Sequence, residues 1–268
     1  MLTDARFRVV RAIAFSCTVA AISASPAESQ LPQHPPSSAP DSQAQVEMGR
    51  VLAGLFSDSS SHMRMGPTRP ATTADSARAA AIVRAARAAL SQYVDVKVAE
   101  RDGYHRAMPS LVDQPIYHYN SMPNFGAAER GEFDITKPVS LLYKKDDRGQ
   151  LKLVGAMYAT GASDPSQLDA LLPISMAHWH EHVNLCSPGG PLTRYLSPTV
   201  DARTVFWVKL FFTITSPGAC EAAGGRFTDV DFGWMAHVYM FAGDDPRVIW
   251  DTDDAGNMDM HMGHPPTN

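Results

Sequence analysis

Apolar and polar positions change period along the chain, and the changes mark its elements. From Glu28 to about Val46 the chain is rich in Pro, Ser and Gln with little apolar content, the pattern of a solvated spacer. A helical turn or two is expected over Val46–Phe56, then a polar, methionine-containing stretch to Pro70. A long helix is expected from Ala74 to about Val98. This run is rich in alanine, and Ile82, Ala86, Ala89 and Tyr93 recur at helical spacing. Thr73 can cap it, Asp75 complements its N-terminal dipole, and Gly103 ends the segment.

Beyond Gly103 the period falls to two. Val139–Tyr143 and Leu151–Tyr158 read as strands flanking a hairpin loop, Asp146-Asp147-Arg148-Gly149. Asp164 caps a short helix that Pro173 stops, and Ile174–Cys186 reads as extended. Val205–Thr215, Trp234–Phe241 and Val248–Trp250 are further strand candidates. Between them, Ser216-Pro217 starts a helical turn that carries Cys220 and ends at Gly224-Gly225. The pattern predicts an α+β fold: a mostly antiparallel sheet or small β-barrel packed with one long N-terminal helix.

The first residues add a destination. Arg6, Arg8 and Arg11 precede a short apolar run, Ile13–Ile22, and small residues follow. That is the order of a secretory signal peptide, with cleavage expected after Ala27 or Ala24. The run is about half the ~20 residues a spanning helix needs. The expected organisation is a signal peptide over 1–27, a mostly disordered spacer over 28–72, one globular domain over 73–254 and a flexible Met/His-rich tail over 255–268. The mature chain is expected to be secreted or periplasmic, with no membrane span.

Removing 1–27 takes away three Arg and one Asp, leaving 20 basic and 27 acidic residues, net −7. An acidic chain without a basic run argues against nucleic acid as a partner. Cys17 leaves with the signal, so Cys186 and Cys220 remain. In an oxidising compartment an even pair is expected to form a disulfide. The alternative makes Cys186 a metal ligand beside the histidines.

Those histidines are the main chemical signal. His178, His180 and His182 alternate in the run His178-Trp179-His180-Glu181-His182. A strand there places them on one face with Asn184 and Cys186, and puts Trp179, Glu181, Val183 and Leu185 on the other. Imidazole is the commonest metal-binding side chain, and H-x-H-x-H is a rarer pattern than H-x-H. His237 is the first candidate for a fourth ligand, His118 (between Tyr117 and Tyr119) the second, and His105 ranks below them. Glu181 reads as a surface residue. The tail Met258-Asp259-Met260-His261-Met262-Gly263-His264 joins thioether to imidazole, donors that suit late transition metals and copper above all. His62-Met63-Arg64-Met65 repeats that composition more faintly.

The H-x-H element followed by a lone histidine on a later strand resembles the two metal-binding motifs of the cupin family. Asn184 stands near the position of the cupin glutamate, and the glycines that frame cupin motifs are absent or displaced, although Gly233 precedes His237. The resemblance covers at most residues 139–250 and implies one metal ion in a small β-barrel. The wider layout is similar to that of exported bacterial proteins with no assigned activity, which implies a single domain and names no reaction.

The expected function is an exported, histidine-ligated transition-metal protein, with copper preferred and zinc or iron as alternatives. It acts on a small-molecule substrate if it is an oxidoreductase. A metal carrier or buffer, or a domain whose histidines hydrogen-bond a polar ligand, are the other classes. No Gly-x-Ser-x-Gly elbow, P-loop or dinucleotide fingerprint is present.

Overall fold

The computed structural model describes residues 42–57, 59–162, 164–188 and 200–251. The expected signal peptide and tail lie outside them. In chain order the elements are α1 (Ser42–Leu55), β1 (Met63–Met65), α2 (Thr73–Leu90), α3 (Val96–Arg101), β2 (His105–Arg106), β3 (Tyr117–Asn120) and α4 (Met122–Glu129). Then come β4 (Ser140–Lys145), β5 (Leu151–Thr160), α5 (Pro165–Leu171), β6 (His180–Pro188), α6 (Ala202–Phe212), α7 (Pro217–Ala222), β7 (Gly225–Val238) and α8 (Pro246–Ile249). The strands form one antiparallel sheet in the order β1-β6-β7-β5-β4-β3-β2. The class is α+β. The sheet is open, with β1 and β2 at its edges, so the expected barrel does not close.

Residues 42–72, expected as spacer, carry α1 and β1. The apolar stripe Ala44, Met48, Leu52 and Leu55 is buried with Val205, Val208 and Phe212 of α6. Spaced three and four apart, it makes a helix face that the polar composition around it conceals. The alanine-rich run folds as α2, but it stops at Leu90. A 3-10 turn over Ser91–Val94 and the separate α3 follow, where a continuous helix to Val98 was expected. Thr72, rather than Thr73, caps α2 in a reciprocal box with Asp75. Arg69 ties that box to Asp169 of α5, and it holds the Asp75 carboxyl far below its usual range.

Two expected strands are helices. Val205–Thr215 lies mostly in α6, where the Asp201 side chain accepts from the Thr204 backbone N–H at 2.7 Å. Its β-branched and aromatic residues read as a strand, yet Val205, Val208 and Phe212 are buried at helical intervals while Phe206, Trp207 and Leu210 are exposed. Cap and burial override β-propensity there. Val248–Trp250 is overturned in the same way by α8, which Asp245 caps.

One face of the sheet packs on α2 through Tyr117, Tyr119, Leu141, Tyr143, Tyr158, Trp179, Ala236 and Val238. The opposite face carries Leu142, Met157, Ala159, Met235 and Tyr239 with Phe125 and Ala128 of α4. Two irregularities bend the strands. The β4–β5 register slips between Leu142 and Tyr143, leaving Val154 extra, and next to it Gly155 meets β7 so closely that a Cβ there would lie 2.3 Å from Val238 O. In β7, three residues stand between the partners of His180 and His182, where β6 has only Glu181. Phe232 and Gly233 take positive φ of 63° and 68° in this bulge.

Cys186 and Cys220 form the expected disulfide, Cα–Cα 5.7 Å, joining β6 to α7 across 34 residues. Cys186 is therefore not a thiolate ligand. Both cysteines are fully buried against Phe211. Among the described residues no helix is long and apolar enough to cross a membrane. Replacing both cysteines by alanine is predicted to lower stability by about 2–4 kcal/mol. Urea unfolding measures this, and an unchanged midpoint counts against a stabilising role for the bridge.

Candidate histidine site

Strand register sets the face on which each histidine stands. His180 pairs with Met235 and His237 with Met157, and Cα partners in a sheet share a face. Met157 in turn pairs with Ser140, two residues from Leu142, the partner of His118. His118, His180, His182 and His237 thus occupy the face opposite α2. His180 and His237 are 3% and 4% exposed, while His118 and His182 are half-buried.

The four rings form a row. Centroids are 5.6 Å apart for His118 and His237, 5.1 Å for His237 and His180, and 5.8 Å for His180 and His182. Phe56, just beyond α1, stacks on His182 at 4.2 Å and 22°. A cavity of about 80 Å³ borders both Phe56 and His118, lined also by Leu52, Met108, Leu111 and Ile116. Helix α1 therefore roofs the histidine face with apolar side chains.

Two imidazoles bound to one tetrahedral ion at ordinary bond lengths have centroids about 5 Å apart. Successive pairs in the row approach that spacing. The row as a whole does not surround a point: among the described residues no three His, Cys, Asp or Glu side chains converge closely enough to hold a metal ion.

His178 is not in the row. It precedes β6, is exposed, and its carbonyl lies 3.2 Å from His180 Nδ1. Beyond His182 the expected alternation fails, because Asn184 takes φ 56° and Leu185 joins the cluster of α1 and α6. Glu181 is 5% exposed and ion-paired with Arg64, not a surface residue. His105 lies on β2, the far edge.

Three neighbours of the row were not chosen from the sequence. Met63 and Met65 of β1 pair with His182 and His180, in a segment whose composition stands out but whose three-residue strand is too short to show a period. Asp231 pairs with His182 through the β7 bulge, which no local pattern announces. His62 has a different task. Buried at 3% exposure, its Nε2 donates to Phe212 O at 2.6 Å, anchoring β1 to the end of α6.

Comparisons with protein-family models, curated proteins and solved structures found no match.

Burial raises the Asp231 pKa above its ordinary value of 3.8. A raised carboxyl binds more protons folded than unfolded, so its cost to stability develops as pH climbs through the usual carboxylate range. Asp231→Asn is predicted to stabilise the metal-free protein, with a gain that is small near pH ~4 and grows toward pH ~7. Urea unfolding of both proteins across that range checks the sign, and a gain that shrinks with rising pH contradicts the assignment.

Proposed function

We propose that this chain is an exported transition-metal protein holding its ion at the row His118, His237, His180 and His182, with copper favoured over zinc and iron. One observation carries the reading: four imidazoles from three strands stand in succession on one sheet face, at 5.1 to 5.8 Å between neighbours. Binding requires the outer rings to turn toward His180, which holds an inner position in the row. Thioethers in register with these rings favour a soft metal, and the tail at Met258–His264 carries the same donor types. Export is supported by the signal-like pattern of residues 1–27 and by the Cys186–Cys220 bridge.

The cavity beside His118 favours oxidoreductase chemistry on a small molecule over simple carriage. Such chemistry needs an open position on the ion, and the cavity offers space next to one end of the row. A carrier or buffer uses the same donors without turnover.

The mature chain, prepared without a polyhistidine tag, is predicted to retain one equivalent of metal by elemental analysis. His180→Ala and His237→Ala each weaken that binding at least about tenfold, or 1.4 kcal/mol. A chain ending at Ala255 keeps the ion. Metal lost with the tail but retained in both histidine variants contradicts the proposal.

A further inference from the structure

The β1–β6 edge carries an arrangement that the histidine row alone does not explain. Met63 pairs with His182 and Met65 with His180. The four side chains therefore stand on one face as a two-by-two grid. Cβ atoms in such a grid are about 4.5–5.5 Å apart across strands, and successive same-face residues of one strand are about 7 Å apart. The long, unbranched thioether of methionine can close distances of this size.

The opposite face of the same strands fixes the register. Arg64 pairs with Glu181, and its Nε donates to the Glu181 carboxylate at 2.7 Å. The Arg64 guanidinium also lies over the Trp234 ring at 5.8 Å. On one side of β1 the alternation Met63-Arg64-Met65 makes an ion pair to a buried carboxylate. On the other, register sets two methionines opposite two histidines. Met63 is half-buried and Met65 is 36% exposed, so the grid opens at the edge of the sheet. Met235 flanks His180 from the other side.

We infer that Met63 and Met65 join His180 and His182 in a cuprous site at the β1–β6 edge, which selects Cu(I) over Zn(II). The inference rests on the histidine reading above and assigns it an oxidation state and a location. Thioether is a soft donor that favours Cu(I), whereas Zn(II) is satisfied by imidazole and carboxylate. The Met63 and Met65 thioethers therefore contribute to Cu(I) affinity and little to Zn(II) affinity. Exposure of Met65 gives the ion a route in and out at the sheet edge.

The test uses the mature chain from Glu28, without Cys17, with its tail donors silenced by Met258→Leu, Met260→Leu, Met262→Leu, His261→Gln and His264→Gln. Anaerobic competition with a chromophoric Cu(I) chelator, and a parallel Zn(II) titration, are run with and without Met63→Leu/Met65→Leu. Leucine keeps the volume and removes the sulfur. The double variant is expected to bind Cu(I) at least about tenfold more weakly and Zn(II) within a factor of about two. X-ray absorption of the Cu(I)-loaded parent chain is expected to show sulfur scatterers, a readout independent of how the variant folds. Undiminished Cu(I) binding in the double variant overturns the inference. If His180→Ala still abolishes that binding, the histidine reading survives. Equal losses for both metals, or a parent spectrum without sulfur, also overturn the inference. A parent chain that takes neither metal overturns both.

Discussion

In a flat sheet the backbones of His118 and His237 would stand at least about 14 Å apart, because β4 and β5 lie between their strands, and two side chains leaning together close only about half of that gap; here their rings are 5.6 Å apart. The sheet must therefore curl, with the histidine face concave. Two devices allow it. The extra residue at Val154 bends β5 beside Gly155, where β7 approaches too closely for any side chain. The bulge at Phe232–Gly233 bends β7 between the partners of His180 and His182. Gly233 serves there twice, through its positive φ and because a Cβ would lie 2.9 Å from Thr160 O.

The curl accounts for much of the rest. It gathers imidazoles from β3, β6 and β7 into one row and leaves a hollow that α1 roofs with Leu52 and Phe56. The roof is held by the packing of α1 on α6, and α6 is tied back to β1 through His62 and Phe212 O. At the far end of β6 the disulfide anchors the strand to α7. Each support of the histidine face thus belongs to a different element, and β6 pairs with β1 on one side and β7 on the other.

Local pattern revealed what depends on local chemistry. The β4–β5 hairpin, the Asp164 cap, the turn carrying Cys220 and the partnership of Cys186 with Cys220 were all legible, since each follows from a few adjacent residues or from cysteine parity. Of the five histidines that the sequence singles out, His118, His180, His182 and His237 stand in one row. What was not legible depends on register and curl. Alternation assigned His178 to the histidine face, but the strand begins at His180 and leaves it outside. Asp231 reaches His182 only because β7 gains two residues in its bulge. Met63 and Met65 lie in a three-residue strand too short to show a period. The aromatic run of α6 reads as β until its Asp201 cap and its buried stripe are seen together.

Whether the ion sits on the concave sheet face can be read from the imidazole nitrogens themselves. Cu(I) is diamagnetic, so long-range proton–nitrogen correlation spectra of the mature chain can be followed as one equivalent is added. Ring-nitrogen signals of His118, His180, His182 and His237 are expected to move first and in step, while those of His62 and His105 stay fixed. Movement confined to His261 and His264, with the sheet histidines unchanged, would contradict it.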